Sequence, residues 1–161
     1  MHNYKIDTYL KIILLISLFS IISAFFIEYV LGHQPCNLCL IERIPYGLSI
    51  IIITAIFLIK KNQKFLVMLL ILTFIFSFAI SFYHYGIEEG FFQESSFCGV
   101  KSLTESITKE DLLKQLSEKT ISCKDVTFRI FGLSLTSINI VISILFIITL
   151  TKIFYRYEKN R

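Results

Sequence analysis

Four long apolar runs constrain the fold of this chain more than any other feature of its sequence. Each run is long enough for a helix of about 20 residues to cross the hydrocarbon core of a bilayer. Only 17% of the 161 residues are charged, below the roughly 25% usual in soluble domains. The runs are 9–31, 38–59, 65–87 and 130–150. The sequence therefore predicts an all-α membrane protein, a four-transmembrane-helix bundle that forms one integral membrane domain, 1–161.

The distribution of Lys and Arg predicts the orientation of this bundle. Nine cations and only two acids lie on one side, in the N-terminal segment, the turn between the second and third runs, and the C-terminal tail. The other side carries loops 32–37 and 88–129. Because cytoplasmic segments are enriched in Lys and Arg, both termini are expected in the cytoplasm. The same cations face anionic lipid, so the basic composition predicts no nucleic-acid partner. The nine cations are Lys5, Lys11, Lys60, Lys61, Lys64, Lys152, Arg156, Lys159 and Arg161.

All four cysteines fall on the predicted outer side. Cys36 and Cys39 form a Cys-x-x-Cys pair at the start of the second run, and Cys98 and Cys123 lie in the long loop. An even count on the oxidising side of a membrane suits disulfide chemistry, because cytosolic thiols are kept reduced. Two structural disulfides are the common outcome for such residues, and a Cys-x-x-Cys pair also occurs in zinc sites. The residues alone leave these alternatives open.

The segment around the first cysteine pair places thiols beside a charged pair at the membrane edge. Pro35 biases the residue before it away from the helical region, so Cys36 follows extended chain and Cys39 falls in the first helical turn. Unpaired N–H groups and the helix dipole favour a thiolate there. Arg43 follows Cys39 by one turn on the same face and can stabilise a thiolate or an oxygen of a lipid-soluble acceptor. The alternative is an interfacial arginine that extends to headgroups beside Glu42.

Polar side chains also occur within the third and fourth runs. His84, near the outer end of the third run, titrates closest to neutral pH and can donate to a quinone oxygen. A plain interfacial histidine is the alternative. Asn139, with several Ser and Thr residues in the fourth run, is expected to form hydrogen bonds between helices.

The loop 88–129 is too long to be only a connector. Within it, Thr108 and Asp111 form a T-x-x-D helix start, which is followed by apolar and charged residues at helical spacing. This pattern predicts a short amphipathic helix on the membrane surface, close to the first cysteine pair.

Taken together, these features resemble the disulfide bond formation protein B (DsbB) family over nearly the whole chain. The segments that carry the resemblance are Pro35-Cys36-x-Leu38-Cys39, Glu42-Arg43, the Cys98 and Cys123 pair, and Phe131-Gly132-Leu133-Ser134. The chain departs from common members in having no tryptophan, with Phe128 where an indole often stands. The resemblance implies a multi-pass protein of the bacterial inner membrane with thiol:quinone oxidoreductase activity.

The resemblance also implies an electron relay. A periplasmic DsbA-like thioredoxin-fold protein would form a mixed disulfide with Cys98, and Cys123 would pass reducing equivalents to Cys36. The final acceptor would be ubiquinone or menaquinone in the membrane. The cofactor site implied in this way comprises Cys39, Arg43, Glu42 and His84.

Two other classes of protein share some of these features. Vitamin K epoxide reductase-like quinone reductases also have four helices and paired cysteines, but there the Cys-x-x-Cys pair follows the loop cysteines. Here it comes first, which favours the DsbB-like order. A cysteine-bearing metal-ion transporter would also place thiolates beside membrane helices. It predicts a cytoplasmic Cys or His acceptor, and His2 is the only such residue on that side.

Overall fold

The computed structural model describes residues 2–59, 62–94, 98, 122–124, 129–130 and 132–159. Within these ranges the chain forms long helices and one short sheet. The helices are α1 (His2–Tyr29), α2 (Asn37–Leu58), α3 (Gln63–Glu88) and α4 (Leu135–Lys159), and the strands are β1 (Arg129–Ile130) and β2 (Leu133–Ser134). Each helix is long and apolar enough to cross a membrane. The predicted all-α bundle of four such helices is confirmed.

A small hairpin precedes the last helix. β1 and β2 pair antiparallel, with Arg129 opposite Ser134 and Ile130 opposite Leu133. Gly132 has a φ of +83°, the left-handed conformation that a tight hairpin turn requires and that glycine adopts without steric cost. The helix itself therefore begins at Leu135, whereas the apolar run in the sequence begins at 130. The predicted amphipathic helix after Thr108 lies outside the described residues.

The helices form an up-and-down bundle in which α3 contacts both α2 and α4, while α1 packs mainly against α2. The largest cluster of buried apolar side chains occupies the end that holds both termini. Its members include Ile6, Leu10, Ile53, Ile56, Val67, Leu70, Leu150 and Ile153. Many large apolar side chains on the outside of the helices remain exposed, as lipid contact requires. The cysteines and the polar residues around them lie at the opposite end of the bundle.

Serine pairs join the helices in the middle of the bundle. Ser49 in α2 donates to Ser17 in α1 at 2.9 Å, and the hydroxyls of Ser143 in α4 and Ser77 in α3 are 3.2 Å apart. All four residues are buried. The expectation that serines in the fourth helix bond between helices is confirmed for Ser143.

Candidate redox site

The four cysteines form two disulfides, Cys36–Cys39 and Cys98–Cys123, with Cα–Cα distances of 5.1 and 5.5 Å. Cys36, Cys98 and Cys123 are buried in one cluster, and Cys39 packs against it. Thiol–disulfide exchange requires an attacking thiolate to reach a disulfide sulfur. The structure thus brings together two pairs that lie far apart in the sequence, in an arrangement suited to exchange between them.

The first disulfide lies at the N-terminus of α2. Cys36 is the N-cap residue, with an extended backbone (φ −71°, ψ 165°), and its Sγ accepts a hydrogen bond from the N–H of Cys39 at 3.1 Å. Cys39 therefore lies in the first turn, as the sequence predicts. Cys36 is buried and Cys39 is half-buried. Cys39 is thus the residue of the pair that is open to a reactant from outside the bundle.

His84 in α3 is at the centre of the site. Its Nε2 lies 3.6 Å from Cys36 Sγ, and its Nδ1 lies 2.8 Å from Glu42 Oε1. The backbone of Cys123, in the second disulfide, also lies close to the imidazole. His84 is only 2% exposed, so it faces the bundle interior and not the lipid interface. The imidazole therefore links the first cysteine pair to a buried carboxylate and lies close to the second pair.

Glu42 is held by a network that crosses the bundle. Its Oε2 accepts a hydrogen bond from Asn139 Nδ2 at 3.0 Å, and the same nitrogen donates to Ser81 Oγ at 2.7 Å. The hydroxyl of Tyr46 donates to Asn139 Oδ1. The interhelical role predicted for Asn139 is confirmed. Because all of these groups are buried and paired, they fix the orientation of Glu42 and, through it, that of His84.

A second carboxylate lies on the other side of the imidazole. Glu88 Oε1 is 3.8 Å from His84 Nε2 and accepts a hydrogen bond from Thr136 Oγ1 at 2.7 Å. Thr136 Oγ1 is also 3.3 Å from His84 Nδ1. The histidine is thus flanked by an acid near each ring nitrogen.

Five residues of the site were not assigned to it from the sequence: Tyr46, Ser81, Glu88, Thr136 and Asn139. A signal was present in the spacing of polar residues within the apolar runs. The stripes are Glu42, Tyr46 and Ser49 in α2, Ser77, Ser81, His84 and Glu88 in α3, and Thr136, Asn139 and Ser143 in α4. Spacings of three and four residues put each stripe on one helix face. In the structure the hydrogen bonds described above join these faces.

Arg43 has a different partner from its neighbour Glu42. Its NH1 donates to Glu28 Oε2 in α1 at 2.5 Å, and its guanidinium carbon lies 5.4 Å from the centroid of the Phe25 ring. Both charged side chains are about four-fifths covered. The structure therefore assigns Arg43 to the α1 side of α2 and Glu42 to the α3 and α4 side. Glu42 and Arg43, which the resemblance assigns to one cofactor site, therefore face different sides of the same helix.

The fold and site define a class of protein: a multi-pass membrane protein with two adjacent disulfides, one of them at a helix N-terminus beside a buried histidine. Residues 7–153 match the family model described as disulfide bond formation protein DsbB, so the chain belongs to the DsbB family. It is also 30% identical, over 165 aligned residues, to the uncharacterized protein RP370 of Rickettsia prowazekii (strain Madrid E), with 99% of this chain and 96% of that protein covered. Family membership assigns the chain to membrane disulfide bond formation and to oxidoreductase chemistry.

Proposed function

We propose that the protein reoxidises a periplasmic DsbA-type thioredoxin-fold dithiol protein and passes the electrons to ubiquinone or menaquinone. The observation that carries this proposal is the packing of both disulfides in one cluster, with His84 Nε2 at 3.6 Å from Cys36 Sγ and the ring close to the backbone of Cys123. Two inert structural disulfides would not need a shared histidine. The arrangement supports exchange from one pair to the other.

The first half of the relay is thiol–disulfide exchange. A partner thiolate attacks Cys98 and forms a mixed disulfide, while Cys123 leaves as a thiolate. The Cys123 thiolate attacks Cys36, and Cys39 leaves as a thiolate. The second partner thiol then displaces Cys98, which leaves the partner oxidised. Cys98 then attacks Cys123 in the Cys36–Cys123 disulfide, which restores the loop disulfide and releases Cys36, so that Cys36 and Cys39 are both reduced. Each step breaks one disulfide and forms another.

The surroundings of Cys39 fit a lipid-soluble acceptor. Leu40 and Ile44 are 44% and 59% exposed on the surface of α2, so an apolar ring can approach from the bilayer. The Arg43 guanidinium has five N–H donors, and its ion pair with Glu28 leaves others for a carbonyl oxygen. A bound quinone supplies a two-electron, two-proton acceptor. In our proposal Cys39 and Arg43 form the face of the site toward the lipid.

We assign proton handling to His84 and Glu42. Thiolates are the reactive form in exchange, so the Cys36 thiol has to lose its proton when the pair is reoxidised. His84 Nε2, at 3.6 Å from Cys36 Sγ, is positioned to accept it, and Glu42 at Nδ1 stabilises the resulting imidazolium. Both residues remain part of the proposed quinone site. They lie on the side of the Cys36–Cys39 disulfide that faces the bundle interior, whereas Arg43 faces α1.

The proposed orientation places the disulfide end of the bundle in the periplasm and both termini in the cytoplasm of a bacterium, across the inner membrane. Two independent features support it. The cations cluster around the termini and the segment before α3, and all four cysteines lie at or beyond the opposite helix ends. Thiol oxidation belongs on the periplasmic side.

Turnover by purified variants in lipid nanodiscs tests this function. Wild-type protein with ubiquinone or menaquinone should oxidise a reduced DsbA-type dithiol without oxygen. Cys39→Ser should stop quinone reduction, while Cys98→Ser should lose exchange with the partner and still bind quinone. Thr54→Val is a matched control, since this exposed hydroxyl bonds only to Ile50 O in its own helix among the described contacts. Undiminished turnover of Cys39→Ser would refute the relay. Loss of quinone binding in Cys98→Ser would show that the two cysteine pairs act in the reverse order.

A further inference from the structure

Three atoms around the first disulfide are arranged like the ligands of a metal ion. The sulfurs of Cys36 and Cys39 and a ring nitrogen of His84 all lie within 4.8 Å of one another. Cys36 and His84 are buried, and Cys39 is half-buried. Two thiolates and one imidazole are a ligand set typical of zinc, with Zn–S distances of about 2.3 Å and Zn–N distances of about 2.0–2.1 Å. In the disulfide state the sulfurs are bonded to each other, so neither is available as a thiolate.

The second shell of this cluster is also suited to a metal. A histidine that binds a metal commonly donates its other ring N–H to a carboxylate, which fixes the ring tautomer and orientation. Glu42 Oε1 lies 2.8 Å from His84 Nδ1, which leaves Nε2 directed at Cys36 Sγ. Asn139 holds the other oxygen of Glu42. The orientation of the ring is therefore fixed before any ion arrives.

We propose that, once the Cys36–Cys39 disulfide is reduced, Cys36, Cys39 and His84 Nε2 bind a zinc-like divalent cation. Reduction by the partner dithiol of the proposed relay, which itself becomes a disulfide, adds two electrons and two protons and breaks the S–S bond. Cation binding then releases the thiol protons and forms two metal–thiolate bonds and one metal–imidazole bond. Glu88, whose Oε1 is 3.8 Å from Nε2, or a water molecule can complete a four-coordinate shell.

Zinc binding at this site has a consequence for the electron relay. That consequence rests on the function proposed above. Thiolates that are bonded to a cation are not free to re-form the disulfide. Zinc or cadmium would thus hold the chain in its reduced form and stop turnover. The redox state of the pair would in turn decide whether the cation binds. This exclusion follows because the same sulfur atoms serve both reactions.

Direct binding of zinc chloride tests the site without reference to turnover. The full chain in nanodiscs is reduced with a phosphine, freed of the reductant under argon, and titrated with zinc. A Cys98→Ser, Cys123→Ser background removes the other two thiols. We expect one zinc ion per chain after reduction and none before it. Equal binding by the oxidised protein, or none by the reduced protein, would overturn the proposal.

Variants then test the histidine and its carboxylate. Glu42→Gln should weaken zinc binding by about 10–100-fold, the usual effect of losing a second-shell partner. His84→Gln should weaken it at least as much, and the control His33→Gln should not change it. X-ray absorption of the zinc-loaded reduced chain, which needs no variant, should show two sulfur neighbours and at least one nitrogen. A shell of oxygens alone, or unchanged affinity in both Glu42→Gln and His84→Gln, would contradict the site. This experiment measures metal binding. A failure to bind zinc would therefore overturn this proposal alone, since quinone turnover is measured separately without metal.

Discussion

Replacement of Asn139 by leucine tests the buried network that orients the redox site. The side chain of Asn139 makes hydrogen bonds to Glu42, Ser81 and Tyr46, which come from two other helices. Interhelical hydrogen bonds in membrane proteins contribute about 0.6 kcal/mol on average and at most about 1.7 kcal/mol. Three such bonds give a loss of about 2 to 5 kcal/mol in the free energy of unfolding. We expect about 3 kcal/mol, because the bond to the Glu42 carboxylate is stronger than a neutral one.

The change in stability can be measured by unfolding the oxidised protein with sodium dodecyl sulfate in mixed micelles and following helicity by circular dichroism. Thr149→Val in the same helix is the control. Its exposed hydroxyl bonds to Leu145 O one turn earlier, so its loss should change stability by less than about 0.5 kcal/mol. If Asn139→Leu unfolds like this control, the network does not stabilise the bundle and our account of how Glu42 is oriented is wrong.

Two further substitutions probe the edges of the site. Arg43→Ala should weaken quinone use by about 1–3 kcal/mol, or about 5–150-fold in kcat/KM, because it removes a charge-assisted hydrogen bond; an unchanged kcat/KM for quinone would leave Arg43 only its ion pair with Glu28. Gly86→Ala should lower stability by about 1–3 kcal/mol in the same unfolding assay. The added Cβ would lie 2.1 Å from Phe92 Cδ2, so the ring would have to leave its stack on Tyr83; wild-type stability would show that the ring moves away without cost.

The helices and the position of the first disulfide could be predicted from the sequence because both depend on local properties. Hydropathy over about 20 residues defines a span whatever its neighbours are. Pro35 and the start of the apolar run likewise indicate that Cys39 falls in the first turn of α2. The hairpin before α4 was not predicted, since Ile130 and Leu133 are as apolar as the helix that follows and only Gly132 marks the turn.

The partners of Glu42 and Arg43 could not be predicted from the sequence in the same way. Neighbouring residues on a helix point about 100° apart, so the two side chains must face different surroundings. Which one faces the interior depends on how α2 is rotated in the bundle, and that depends on packing against α1, α3 and α4. The contact between His84 and the cysteines has the same origin, because it joins residues from different helices. The polar stripes indicate which face of each helix carries the polar residues, but not which of these faces pack against each other.

The most direct test of the relay is a thiol count after quinone is added to fully reduced protein without oxygen or partner. The reduced chain has four thiols, two from each pair. If electrons leave through Cys36 and Cys39 and both pairs exchange, all four thiols should disappear, with two quinone molecules reduced per chain. In Cys39→Ser the remaining thiols should persist. Four thiols that survive in the wild type, or thiols that disappear equally in Cys39→Ser, would contradict the account.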